Sequence, residues 1–338
     1  MQEAMFYKKL KNKRVECKLC AHSCQISNDR RGVCRVRENR EGVLYSLVYG
    51  KAISSAIDPI EKKPLYHFYP GSNAFSVATV GCNFRCLNCQ NHSISQLPGE
   101  RREIPGEELS PQSIVFEAKR YKCEIIAYTY TEPTIFFEYA YDTSKLAQKE
   151  GIKNVFVTNG YISQEALIKI SPYLDAANVD LKSFREDFYK KVCGAKREPV
   201  LKTLKLMKKL GIWLEITTLI IPTLNDSDEE LKEIAGFIVA LGEETPWHLS
   251  RFYPTYKSKK LPPTSLETIH RGREIGLKAG LRHVYGGNVP GDKAENTYCN
   301  HCDRLLIRRY GYQIKESNLE EDRCKYCRAK IDGVRMRR

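Results

Sequence analysis

No stretch of this chain approaches the ~20 consecutive apolar residues that a membrane-spanning helix needs, so no buried span is expected. The opening MQEAMFYKKLKNK is positively charged but has no apolar run behind it, and no secretory signal is read there. Together the two absences give a cytoplasmic expectation. Nor is the chain short of core: with 338 residues, 42% hydrophobic and 28% charged, it has the composition of an ordinary globular protein. That length suits two domains, or one large α/β barrel with small appendages.

Cysteine, by contrast, is abundant. Without an export signal, 13 cysteines in a chain of this size read as metal ligands or catalytic groups rather than disulfides. They are grouped: Cys17, Cys20, Cys24 and Cys34 near the start, then Cys82, Cys86 and Cys89, and finally Cys299, Cys302, Cys324 and Cys327. Cys123 and Cys193 stand apart and read as ordinary thiols. The net charge of +14 is concentrated in the two ends, residues 1 to 40 and 299 to 338. Such ends suit a basic, partner-facing surface or a merely solvated one, and four thiolates on a divalent zinc would offset part of the charge.

Between residues 74 and 290, short β-branched runs alternate with amphipathic helical patterns, as in βα units on a parallel sheet. Seven strands are read, at AFSVATVG, EIIAYTY, NVFVTNG, ANVDLKS, WLEITTLIIP, HLSRFYP and HVYGGNV, with six helices between them. The first helix has Ser110 as N-cap and Pro111 at its first position. The fold expected is α/β, a partial or full (β/α) barrel with small cysteine-rich metal-binding extensions at both ends. In such barrels the chemistry gathers where the strands end. Those ends carry the cysteine trio, Glu132, Asn159, Asp180, Lys182, Thr217, His248 with Arg251, and Asn288.

The trio stands in GCNFRCLNCQN as C-x3-C-x2-C, one thiolate short of a closed site. Three cysteines can hold three corners of a 4Fe-4S cubane and leave one iron open. The simpler alternatives are a zinc site completed by His92 or water, or reduced thiols.

This motif after the first strand of an α/β barrel resembles that of the radical S-adenosylmethionine (SAM) enzymes. The resemblance implies that SAM chelates the open iron and is cleaved to methionine and a 5′-deoxyadenosyl radical. Glu132, in TEP, stands where that family holds the SAM amino group. VDLKSF is similar to the D-x-K motif of the glycyl-radical-enzyme activases, which include the pyruvate formate-lyase activating enzyme; it implies SAM contacts at Asp180 and Lys182. CKLCAHSC, DPIEKKPLYHFYPG, GCNFRCLNCQN, YTYTEPT, VTNGY, HLSRFYP and the terminal cysteine pairs resemble the AmmeMemoRadiSam group from about residue 17 to 333. Asn88 departs from the aromatic usual before the third cysteine, and Tyr130-Thr131 replaces two glycines before the glutamate.

The C-terminal C-x2-C-x21-C-x2-C resembles paired zinc knuckles, without their usual glycines, and is read as a structural zinc site. The N-terminal C-x2-C-x3-C-x9-C could hold zinc or an auxiliary iron-sulfur cluster. Residues 58 to 71 are expected to cover the barrel mouth, with Lys62, Lys63 and His67 meeting an anionic substrate or forming a basic surface loop. His248 and Arg251, three apart on a strand, should face opposite sides of the sheet. SAM contacts are expected from Glu132, Asn159, Asp180, Lys182, Thr217 and His248.

The expected organisation is an N-terminal four-cysteine extension and lead-in over 1–72, the barrel over 73–292 and a zinc-ribbon-like module over 293–338. The expected function is a radical SAM enzyme that abstracts hydrogen from a protein glycine, an RNA or a small molecule, fed by an electron donor such as ferredoxin or flavodoxin. The competing reading is a non-catalytic zinc protein that binds RNA or acts as a scaffold.

Overall fold

The computed structural model describes residues 1–97 and 103–336, so the last two residues of the expected C-terminal module fall outside it. Its centre is one eight-stranded sheet, built from β1 (Ser54–Pro59), β2 (Asn73–Ala78), β3 (Ile125–Tyr128), β4 (Lys153–Thr158), β5 (Ala176–Asp180), β6 (Trp213–Ile220), β7 (Trp247–Arg251) and β8 (Val284–Gly287). Strands β2 to β8 are all parallel and lie side by side in chain order. β1 pairs antiparallel with β2, Ser54 opposite Ala78 and Pro59 opposite Asn73. With β1 and β8 at its two edges, the sheet is an open barrel. β1 belongs to this sheet although it precedes the boundary expected at residue 73.

The longer helices among the described residues connect the strands: α1 (Pro111–Arg120), α2 (Phe137–Lys149), α3 (Gln164–Ile170), α4 (Arg197–Lys209), α5 (Asp228–Leu241) and α6 (Leu266–Lys278). Four of them start the same way. The hydroxyls of Ser110, Ser163, Ser227 and Ser265 accept from the backbone N–H three residues on, satisfying donors the first turn leaves orphaned. Such a cap contributes about 1 kcal/mol. On α4, Val200, Leu204 and Met207 are buried against the sheet, as the 3.6-residue period dictates.

Residues 60 to 69 overturn an expectation. Only the Lys62 and Lys63 side chains reach the mouth cavity; the rest of the stretch does not cover it. Ile60, Leu65 and Phe68 pack with Ala74, Ile125, Val155 and Ala176, at or near the N-terminal ends of the strands, and so plug the foot of the barrel. The plug is polar at its heart. The buried Glu215 carboxylate accepts from the backbone N–H groups of Tyr66 and His67 at 3.0 and 2.8 Å and from Trp213 Nε1 at 3.1 Å, and lies 2.7 Å from His248 Nε2.

The N-terminal extension shares the barrel's core. Phe6 meets Phe137 edge-on at 5.1 Å, and the buried Arg37 guanidinium grips the Glu138 carboxylate with two bonds of 3.0 and 2.5 Å. The C-terminal extension is a three-stranded sheet (Thr297–Tyr298, Leu305–Tyr310, Gln313–Ser317) with a core of its own around Cys299, Leu306, Ile307, Cys324, Ile331 and Met336. Arg309 ties it to the barrel by lying 4.1 Å over the Tyr66 ring and donating from Nη2 to the Tyr66 carbonyl at 3.2 Å.

Candidate active site at the barrel mouth

The C-terminal ends of the strands enclose a cavity of about 450 Å³, within the range that takes a small-molecule ligand. Cys82, Cys86 and Cys89 line it from the loop after β2, beside Glu132, Asn159, Asp180, Lys182 and Thr217. Five of the six expected SAM contacts therefore share one space. His248 does not. It is buried in the plug, bonded to Glu215 and stacked on Tyr285 at 5.2 Å. Arg251 faces the other way and donates to the Thr264 carbonyl at 2.6 Å.

Glu132 is the most constrained group in the cavity. Its Oε1 accepts from Thr134 N (3.0 Å), Thr134 Oγ1 (2.6 Å) and Thr158 Oγ1 (2.7 Å), and its Oε2 accepts from Asn159 N (2.8 Å). A carboxylate has about four acceptor sites, so its free capacity lies on Oε2. Burial lifts this carboxyl above its ordinary value, against the pull of Thr134, Asn159 and Thr158. A cationic ligand at Oε2 would restore its charge. Asn159 then links the carboxylate to the cysteine loop, donating from Nδ2 to Asn83 Oδ1 at 2.8 Å and to Cys82 Sγ at 3.8 Å.

Tyr130, which with Thr131 replaces the two glycines, takes the left-handed φ of +62° that a glycine would supply. Its carbonyl accepts from Asn91 Nδ2 at 2.7 Å, its hydroxyl bonds to Asp58, and Lys63 lies 4.3 Å over its ring. Asp58 also pairs with Lys62 and Lys63 at 2.8 and 2.7 Å. Both lysines line the cavity, whereas His67 is turned into the plug, bonded to Tyr285 Oη and the Asp332 carbonyl. Asp180 and Lys182 form an ion pair of 2.8 Å. Burial opposes the Lys182 charge, but Asp180 with the Cys86 and Cys193 sulfurs hold its pKa well above the ordinary lysine value.

One residue set aside in the sequence returns here. The buried Cys193 thiol lies beside Cys86 and holds that thiol below its ordinary pKa. Its backbone partnership is with the loop itself: Arg85 N donates to the Cys193 carbonyl at 2.8 Å and Leu87 N to the Val192 carbonyl at 3.0 Å. No spacing rule reaches from residue 86 to residue 193, so the sequence carried no signal of it.

The cysteine groups differ in geometry. Among the described residues, only Cys299, Cys302, Cys324 and Cys327 gather their sulfurs tightly enough to share one ion, all within 4.8 Å, with the pairs Cys299–Cys327 and Cys302–Cys324 at 3.6 and 3.8 Å. Cys82, Cys86 and Cys89 all line the cavity, and three thiols on one cavity wall are a donor set that suits a multi-iron cluster with one open iron. The buried Asn88 Oδ1, also on the cavity wall, has no hydrogen-bond partner among the described residues and is free to accept from a ligand.

Comparison with known proteins agrees. Residues 76–238 match the radical SAM superfamily. The chain is 53% identical over 337 residues to uncharacterized protein MJ0808 of Methanocaldococcus jannaschii, covering 99% of this chain and 100% of that one. The chain belongs to the radical SAM superfamily. This radical SAM protein is also 26% identical over 166 residues to the pyruvate formate-lyase-activating enzyme of Clostridium pasteurianum, 47% of this chain and 66% of that enzyme. A radical SAM methyltransferase from Sphaerobacter thermophilus shares the fold, with a TM-score of 0.51 at 16% identity over 68% of this chain and 71% of that one.

Proposed function

We propose that this radical SAM enzyme binds a 4Fe-4S cluster through Cys82, Cys86 and Cys89, binds SAM in the cavity beside it, and starts catalysis by abstracting a substrate hydrogen. The observation that carries this is the convergence of three thiols, the Glu132 carboxylate with acceptor capacity left on Oε2 and the unpartnered Asn88 Oδ1 on one cavity. When bound, the reduced cluster supplies one electron for cleavage of SAM to methionine and a 5′-deoxyadenosyl radical. The chain's own residues do the positioning. Glu132 Oε2 would accept from the SAM ammonium, while Lys182 and Asp180 fix the charge next to Cys86 and Asn159 couples the carboxylate to the loop. Lys62, Lys63 and Tyr312, the last from the C-terminal hairpin turn, line the same cavity and would face the substrate.

The C-terminal four thiolates are proposed to hold zinc. A tetrahedral ion with Zn–S of about 2.3 Å sets sulfurs roughly 3.8 Å apart, as the two cysteine pairs here are.

The test is anaerobic reconstitution with iron and sulfide, then reduction in the presence of SAM. A cluster signal perturbed by SAM and the appearance of 5′-deoxyadenosine are expected. A complete cluster that cleaves no SAM under any reductant would overturn the proposal, and protein carrying zinc without iron would favour a zinc scaffold. Deuterium transfer from candidate peptides, RNAs or metabolites into 5′-deoxyadenosine identifies the substrate.

A further inference from the structure

We infer that the C-terminal four-cysteine module is a binding surface for single-stranded RNA, and that it leads one nucleotide of that RNA into the mouth cavity. The surface stands on its own; that the nucleotide is the substrate rests on the function proposed above.

Cations and tyrosines dominate what the module shows to solvent. Residues 299 to 338 hold 11 lysines and arginines against 6 acids. Four thiolates on one zinc would offset two of the positive charges and still leave the module basic. Arg308 and Arg328 are held by Glu316 and Glu320, but Arg304, Lys315, Arg323, Lys325 and Lys330 form no ion pair among the described residues. Tyr310, Tyr312 and Tyr326 are 59, 45 and 43% exposed. A lone exposed ring needs no explanation, yet these three stand among the cations, and Arg304 lies 4.8 Å over the Tyr326 ring.

Strand pairing gathers part of this set on one face. Along Leu305–Tyr310, Arg308 and Tyr310 are exposed while Ile307 and Arg309 are buried, as the two-residue period of a strand dictates. Across the hairpin Arg308 lies opposite Glu316 and Tyr310 opposite Gln313, with the exposed Lys315 at the irregularity between them. The Tyr310 ring rests on Gly291, where any Cβ would meet it at 3.1 Å.

That face runs into the active site. Strand residues 304 to 310 cover about 20 Å, from the first cysteine pair to the turn at Gly311 and Tyr312. Tyr312 lines the mouth cavity together with Lys62, Lys63 and the cysteine loop. A polymer lying along the strand therefore has one end at the metal site and the other at the mouth. An unpaired nucleic acid alternates bases, which stack on tyrosine, with phosphates, which pair with lysine and arginine. An acidic peptide supplies the charge without the row of flat faces. A duplex hides its bases, and extruding one costs unstacking energy. RNA is the nucleic acid whose loops and ends are recognised unpaired.

The experiment titrates the full chain, zinc-loaded and anaerobically reconstituted, into a fluorescein-labelled RNA dodecamer of mixed sequence and follows anisotropy. Binding is expected to weaken with salt, with a logarithmic slope of about −0.7 per phosphate contacted. Tyr310→Ala and Tyr326→Ala should each weaken it about tenfold, whereas Tyr310→Phe, which keeps the ring, should bind as wild type. Arg308→Gln and Lys315→Gln should each make the slope shallower by about 0.7. Zinc content and thermal melts verify that the variants fold. Equally tight binding of the RNA duplex or of DNA of the same sequence would overturn the inference, and so would polyglutamate competing as well as unlabelled RNA. With 4-thiouridine in the dodecamer, irradiation should crosslink it to the turn at 311–313; crosslinks confined to the N-terminal extension would reject the path to the mouth. Protein that cleaves SAM but binds no RNA would sink the inference and leave the proposed function standing. Protein that binds RNA and holds a cluster yet cleaves no SAM would support the surface and sink that function.

Discussion

Tyr130 holds a backbone conformation that glycine ordinarily occupies, and its side chain explains why the strain is tolerated. The left-handed region costs a non-glycine residue roughly 1–2 kcal/mol, and the bond to Asp58 and the stack under Lys63 offset it. Tyr130→Ala keeps the strain and loses both contacts, whereas Tyr130→Gly loses the contacts and the strain. The alanine variant should therefore be less stable than the glycine variant by about 1 kcal/mol, read from denaturant midpoints. Asp58 itself yields a pH dependence. Burial works against its ionisation, but bonds from Lys62, Lys63, Tyr130 and Ser76 prevail and hold its pKa well below the ordinary value. A carboxyl depressed in the fold contributes stability that is complete above its unfolded pKa and is lost as pH falls below it. Asp58→Asn should flatten that acid limb in thermal melts from pH 7 to pH 3, and at neutral pH cost about 3 kcal/mol by stranding the buried Lys63. Glu132→Gln should weaken SAM binding roughly tenfold to a hundredfold by removing a charged acceptor, measured on the reconstituted protein.

At the scale of elements, the parallel strands were legible because each is a short apolar run between turn signals, and buried on both faces, as Ile125–Tyr128 is throughout. β1 was not. Its SSAIDP is polar, ends in proline and has no apolar alternation, because it is an edge strand with one open side. The plug after it was misplaced for a related reason. Lys62, Lys63 and His67 read either as substrate-facing groups at the mouth or as a basic surface loop, and only tertiary partners, Glu215 above all, offset the cost of burying that stretch. Among site residues, those at strand ends were legible because sheet topology alone carries them to one rim. His248 lies one layer deeper on its strand, and Cys193 depends on a helical turn whose packing no local pattern encodes. The C-terminal hairpin, which delivers Tyr312 to the cavity, also escapes local patterns. Tyr312→Ala should leave 5′-deoxyadenosine formation unchanged while lowering hydrogen transfer from substrate severalfold. Stripping zinc with a chelator should have the same effect on that ratio if the hairpin's position depends on the C-terminal four-cysteine site.

Across the whole molecule, the two cysteine-rich ends carry most of the +14 charge, and the N-terminal one lies directly behind the cysteine loop. Attraction to an acidic one-electron carrier at that end would raise the encounter rate more than the affinity, because surface charges act at long range and are screened by salt. The Debye length shrinks from about 30 Å at 0.01 M salt to about 10 Å at 0.1 M. Cluster reduction by an acidic protein donor should therefore slow by tenfold or more across that range, while reduction by dithionite changes much less. Replacing Lys8, Lys9 and Lys11, which lie on the exposed N-terminal segment, by glutamate should lower the low-salt rate and flatten its salt dependence, with SAM binding unaltered. Equal salt dependence in wild type and variant would show that the basic N-terminal surface is not where the donor docks, and would direct the search to the C-terminal end.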